Sequence, residues 1–200
     1  MSPRGVAVPN VRERLFEAAE RVLERDGPAA LTNRAITEEA GCAKGLLYNH
    51  FTDLDDFVAQ LVLNRFQRVV DGLAPLPARA GTGDVLDNLV QAARTLLGSN
   101  GPALAAAAMS RSRATIHVRQ EWAGGAAGPA SAEELLTGYL EAEQKLGRVS
   151  GTADCAMLGL AIAGTVHHLV MTGAAVGEEG GRLVARLVTA VAAGAVAPPP

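Results

Sequence analysis

Residues 32–51 read TNRAITEEAGCAKGLLYNHF, and the organisation of the whole chain follows from them. The spacing predicts two short helices joined by a tight turn. Thr32 is a good N-cap, because its hydroxyl can accept from the free amides of a first helical turn. Ile36 and Ala40 lie four residues apart and share a helix face that can pack inward. Gly41 follows the last periodic residue, where a left-handed backbone costs glycine least. A second helix is expected to start near Ala43, with Ala43, Leu47 and Phe51 as its buried stripe.

The opposite face of that second helix carries the chemistry. At about 100° per residue, Gly45, Leu46, Tyr48 and Asn49 point away from the stripe, with Lys44 and His50 on the flanks. Lys44 offers charge to a phosphate, and the Tyr48 hydroxyl can donate to a phosphate oxygen. Asn49 can bond adenine through two atoms, and Leu46 can meet a thymine methyl. Gly45 lets the backbone approach a duplex closely. Thr32, Arg34 and Ala43, near the starts of the two helices, complete the expected DNA-binding set. The pattern describes a helix-turn-helix whose second helix enters the major groove.

The segment AGCAKGLLYNHF, residues 40–51, resembles the TetR-type signature A-G-V-S-K-G-T-L-Y-x-H-F. The resemblance extends upstream through RERLFEAAERVLERDG, residues 12–27, and downstream to about Val69. Three positions depart from it. Cys42 stands for the usual Val, a small apolar exchange. Ala43 stands for the usual Ser, losing a cap of about 1 kcal/mol. Leu54 stands where a phosphate-binding Lys is frequent. The resemblance implies an all-α protein: a three-helix helix-turn-helix DNA-binding domain over residues 10–70, then a larger helical domain over residues 71–197 for effector binding and dimerisation. It implies a homodimeric transcriptional regulator, usually a repressor, on a palindromic double-stranded DNA operator. The half-sites would lie about one helical turn apart or more, near ~34 Å. A small-molecule effector, expected to be apolar, would favour a state unable to match them.

Composition agrees with helices but does not announce a nucleic-acid binder. The 200 residues include 22 glycines and only 4% aromatics, which suits closely packed helices better than a sheet. The net charge is −3, and from Met1 to Val70 nine Lys/Arg stand against ten Asp/Glu. Few phosphate contacts and a modest salt dependence are expected, and a helical interaction module without DNA binding is the alternative reading. Cys42 and Cys155 have no metal-ligand spacing and read as free thiols. The amino terminus lacks the charged-then-apolar pattern of a signal peptide, so a cytoplasmic location is expected.

Along the chain, Met1–Pro9 reads as a loose arm in which Arg4 could touch a minor groove. A first helix over 11–25 turns Leu15, Ala18, Ala19, Val22 and Leu23 inward, and Asp26-Gly27-Pro28 ends it. Leu31 should plug the small core beside Ile36, Leu47 and Phe51. Thr52-Asp53 opens a helix to about Asp71, with Leu54, Phe57, Leu61 and Phe66 on its apolar side. The run PLPARAGTG, residues 75–83, marks the domain boundary. Further helices are expected over 84–97, over 103–122 with a break near Ser110, and to about Leu146 from a capping box of Ser131 and Glu134. Gly98–Pro102 should act as a stop. The last two helices are expected over 152–176 and 179–196, with Pro198–Pro200 frayed.

The last two helices admit three readings: ordinary core, membrane span, or dimer seam. Two adjacent histidines and the lack of a basic flank argue against a span. Periodicity alone does not separate core from seam. The resemblance implies the seam, a four-helix bundle between subunits, with Gly159, Ala163, His167, Val184, Leu187 and Val191 as its candidates. Met109, His117, Trp122, Tyr139 and Met157 line an effector cavity or simply pack the core. His167 and His168 point about 100° apart and do not converge on a metal. No G-x-S-x-G, H-E-x-x-H or phosphate loop occurs, so neither an enzyme nor a cofactor is expected.

Overall fold

The computed structural model describes residues 10–98, 101–174 and 177–196, which are helices and turns with one isolated backbone bridge, Val149 to Val196. The Met1–Pro9 arm and Pro198–Pro200 lie outside the described residues, as do Ser99, Asn100, Ala175 and Val176. The first four long elements are α1 (Val11–Asp26), α2 (Asn33–Glu39), α3 (Leu54–Leu73) and α4 (Val85–Leu97). They are followed by α5 (Gly101–Met109), α6 (Ser112–Ala123), α7 (Pro129–Lys145), α8 (Cys155–Thr172) and α9 (Gly177–Ala192). The all-helical expectation is borne out.

Local chemistry sets most of the ends. Thr32 accepts from the Ala35 amide, Asp53 from Asp56, Asp84 from Asp87 and Asp154 from Met157. Several boundaries differ from the sequence reading, among them the ends of α8 and α9, at Thr172 and Ala192 rather than near 176 and 196. Helix α7 starts at Pro129 behind Gly128, because a proline without an amide suits the first helical position. Ser131 and Glu134 therefore sit inside the helix and form no capping box. Helix α5 takes Gly101 and Pro102 into its first turn rather than stopping there. Helix α8 starts at Cys155, where Asp154 supplies the cap. Helix α9 starts at Gly177, ahead of the acid pair Glu178 and Glu179.

Two apolar cores result. The first gathers the buried face of α1 with Leu31, Ile36, Leu47 and Phe51, and the first half of α3. Phe16, Phe51 and Phe57 meet there with ring centroids 4.9–5.6 Å apart. Leu104, Ala107, Ala114 and Val118 of α5 and α6 pack into this same core. The second joins α4, α7, α8 and α9, with Val69 and Leu73 from the far end of α3. Leu76, inside the proline-glycine run, is buried in it too. Helix α3 is thus a member of both cores, and no break in the chain separates them.

The second core holds a polar knot. Asn88 donates to the Tyr139 hydroxyl at 3.0 Å and to the Thr82 carbonyl at 2.9 Å. Fully buried Glu143 accepts from the Gly81 amide at 3.2 Å and faces Arg148 at 3.4 Å. Burial pushes the Tyr139 phenol well above its ordinary pKa. The knot holds the 81–83 turn on α7.

The ring cluster should dominate the first core. Phe57→Ala is expected to cost about 3–5 kcal/mol in denaturant unfolding, whereas Tyr48→Ala on the surface should stay within about 0.5 kcal/mol.

Candidate nucleic-acid interface and its cavity

The segment after α2 is tighter than the sequence suggests. Gly41 has φ 63, and the chain then runs through a turn over 44–46 into a 3-10 helix, Leu47–Asn49. Three of its bonds span three residues, Leu46 to the Ala43 carbonyl at 2.9 Å, Asn49 to Leu46 at 3.2 Å and His50 to Leu47 at 3.0 Å, and only Phe51 to Leu47, at 3.0 Å, spans four. The expected α-helix is therefore replaced by about two tight turns. Ala43 brings no capping oxygen, and Gly45, Asn49 and His50 are poor helix formers. Leu47 and Phe51 are buried as expected, but Ala43 is exposed and Cys42 packs on the core in its place.

Several side chains hold this segment from behind. Arg12 donates to the His50 carbonyl at 3.1 Å and lies 4.5 Å from the centre of the Phe51 ring. Arg14 donates to the Ala40 carbonyl at 2.8 Å. Asn33 donates to the Lys44 carbonyl at 3.3 Å. Arg21 and Arg25 share Glu39, at 2.8 and 2.7 Å, and these bonds draw the Glu39 pKa below the ordinary carboxylate value. The outward side is left to Ala43, Lys44, Gly45, Tyr48, Asn49 and His50, all exposed, with Leu46 half-buried. Thr32 is exposed but its oxygen caps α2, and Arg34 is turned along α2 to Glu38 at 2.8 Å. Among the described residues Lys44 makes no ion pair, so it is a cation available on that face.

The start of α3 is fastened to α6. Asp53 meets Arg113 at 2.8 Å, Asp55 meets Arg111 at 3.0 Å, and Arg111 also donates to the Leu31 carbonyl at 3.3 Å. His117 lies 3.8 Å from Asp56 and 3.6 Å from Glu121. The Asp56 amide, donating to Asp53, holds the Asp53 carboxyl below its ordinary pKa, against burial and with help from Arg113. Sequence reading missed Arg111 and Arg113 because their partners lie over fifty residues away.

The inner face of α6 lines a cavity of about 450 Å³ between α3, α5, α7 and α8. Val62, Arg65, Phe66, Val118, Trp122 and Val166 form much of its wall. Met109 and Trp122, both candidates from sequence, line it. The other three candidates do not. His117 faces Asp56 on the far side of α6, Tyr139 is sealed in the second core by Asn88, and Met157 is exposed on α8. Arg65 was legible in principle, because this charged residue sits four positions from both Leu61 and Val69 on a buried helix face.

The seam candidates also divide. Gly159, Ala163 and Val184 are buried inside the subunit. A methyl on Gly159 would lie 2.6 Å from the Thr137 hydroxyl, so the small residues serve the α7–α8 contact within one chain. His167 is exposed and lines the cavity, while Leu187 and Val191 are half-buried. The outward stripe of α8 is instead Met157, Leu160, Gly164, His168 and Met171.

Residues 15–61 match the family of bacterial regulatory proteins called tetR. The matched stretch takes in most of α1, all of α2, the segment after it and the start of α3, so this part of the chain is TetR-like. The fold of the chain is shared over nearly the whole length with solved structures of low identity. A TetR transcription regulator from Haloarcula marismortui is 19% identical with a TM-score of 0.67, covering 93% of this chain and 98% of that one. The fatty acid degradation regulator FadR from Bacillus halodurans is 18% identical with a TM-score of 0.64, covering 94% and 97%. Reduced NemR from E. coli is 16% identical with a TM-score of 0.70, covering 94% and 98%. No curated protein sequence matches the chain.

The Asp53 cap gives a pH test. Its folded pKa lies below the ordinary value, so its stabilisation is complete above that value and lost as pH falls through the folded one. Asp53→Ala should cost about 1 kcal/mol at neutral pH. In denaturant unfolding the gap from wild type should stay constant down to about pH 5 and shrink at more acid pH.

Proposed function

We propose that this protein is a homodimeric, ligand-responsive repressor of the TetR type on a palindromic operator, with residues 10–70 reading DNA and residues 71–197 holding the partner and, together with the α3 side chains on the cavity wall, the effector. One observation carries the reading. A segment anchored by buried Leu47 and Phe51 turns Lys44, Gly45, Tyr48 and Asn49 outward together. Lys44 and Tyr48 would contact phosphates and Asn49 would read a base. Thr32, His50 and Leu46 would border that contact, whereas Arg34 would first have to leave Glu38.

The exposed stripe of α8 supports the dimer. The helix has a mean hydropathy of 1.5, yet only 28% of it is buried within the subunit. Met157, Leu160 and Met171 are 54%, 44% and 38% exposed. A second copy of this chain covering that stripe, with Leu187 and Val191 beside it, would remove apolar surface from water. The cavity supports the ligand response. Helix α6 lines it on one side and holds Asp53, Asp55 and Leu31 on the other, so a ligand that shifts α6 against α3 would re-aim the reading segment. The coupling is reciprocal: DNA would weaken the ligand by the factor by which the ligand weakens DNA.

Selection of bound genomic fragments by the purified protein, followed by mobility shifts, tests this. Lys44→Ala and Tyr48→Phe should weaken binding evenly across sequences. Asn49→Ala should cost about 1–3 kcal/mol and relax preference at one position of each half-site. An Asn49→Ala variant with unchanged preference would remove Asn49 as a reader.

A further inference from the structure

The polar groups on the cavity wall are Arg65, Thr115, Arg119, Glu133 and His167. Arg119 and His167 are exposed to solvent, and Glu133 is half-buried on α7. Arg65 stands apart from them. It rises from the middle of α3 between Leu61 and Val69, on the face of the helix that these two bury. Among the described residues it makes no hydrogen bond and no ion pair. Glu20, the acid whose field reaches it, is already held by Arg68, which in turn repels Arg65. Burial presses its pKa below the ordinary arginine value, but a guanidinium still keeps its charge in any physiological medium. Gly98 makes the space for it, since a methyl there would lie 1.5 Å from Nη2. Phe66 and Trp122 stand edge to face beside it, 4.9 Å apart, and the buried indole N–H of Trp122 has no acceptor.

A half-buried charge without a counter-charge is costly, and an anion delivered into the cavity would remove that cost. We propose that the effector is an apolar molecule bearing one negative charge, with a carboxylate or comparable head on the Arg65 guanidinium and its body against Phe66, Val118 and Trp122. The proposal rests on the reading of this cavity as the effector site and adds the chemical class. A planar guanidinium takes a carboxylate through two parallel N–H donors, which a neutral or cationic head cannot accept in the same way. Glu133 makes no ion pair with Arg65 and would repel such a head, leaving the Arg65 end as its place. A cation seated on Glu133 is the competing outcome.

Trp122 is the only tryptophan in the chain and lines the cavity, so its emission reports occupancy without DNA. Decanoate, decanol and decyltrimethylammonium share one apolar chain and differ in head charge. Titrated into the full-length protein, decanoate should shift Trp122 emission saturably, with a Kd about tenfold or more below that of decanol, as expected for a hydrogen bond to a charged group. Arg65→Met should abolish the preference while leaving decanol within about twofold, and Arg65→Lys should keep decanoate ahead. A thermal melt of each variant reports whether it is folded, and the wild-type comparison decides the matter even if Arg65→Met is not. Decanol or decyltrimethylammonium binding as tightly as decanoate would overturn the anionic class and leave the effector reading standing. A folded Arg65→Met that still prefers decanoate would overturn Arg65 as the seat of the anion. No saturable change with any of the three would overturn both.

Discussion

Helix α3 is the constraint on which the rest of the structure depends. Twenty residues at about 1.5 Å each give a rod of roughly 30 Å. Phe57, Val58, Leu61 and Val62 are buried in one core, and Val69 and Leu73 in the other. Its sequence has no proline and no glycine before Gly72, so nothing within the rod allows a kink. The reading segment is fixed to the front of this rod through Phe51 against Phe57, and the cavity lies along its middle at Val62, Arg65 and Phe66. Any change in how α3 meets α6 must reach both places.

Electrostatics of the amino-terminal unit follow from the same packing. Arg21 and Arg25 are engaged with Glu39, Arg34 with Glu38 and Arg68 with Glu20, while Arg12 and Arg14 hold backbone carbonyls. Most of the positive charge therefore braces the fold rather than facing a duplex. This leaves little basic field on the outward face of the amino-terminal unit, although it holds nine Lys and Arg against ten Asp and Glu.

What was legible in the sequence is what local chemistry decides. Thr32, Gly41 and Asp53 set their helix ends through bonds spanning a few residues. The inward face of α1 and the burial of Ile36, Leu47 and Phe51 follow from spacing alone. The 3-10 form of the segment after α2 was missed because Ala43 supplies no cap and Gly45 lowers helix stability in a stretch too short to recover it. The cavity was half-read because its walls come from six helices. Tyr139 is excluded by a bond to Asn88, which lies 51 residues earlier. The small residues of α8 did mark close packing, but onto Thr137 of the same chain. A pattern of small residues states that something approaches closely and does not say what.

The most direct test of the account is native-state hydrogen exchange along α3, followed amide by amide in mild denaturant. If the helix is one member of both cores, the amides of Phe57–Val62 and of Val69–Leu73 should open in a single cooperative step with one free energy and one denaturant dependence. Two separate openings, with the front half of α3 exchanging alongside α1 and α2 while the rear half stays protected, would contradict it.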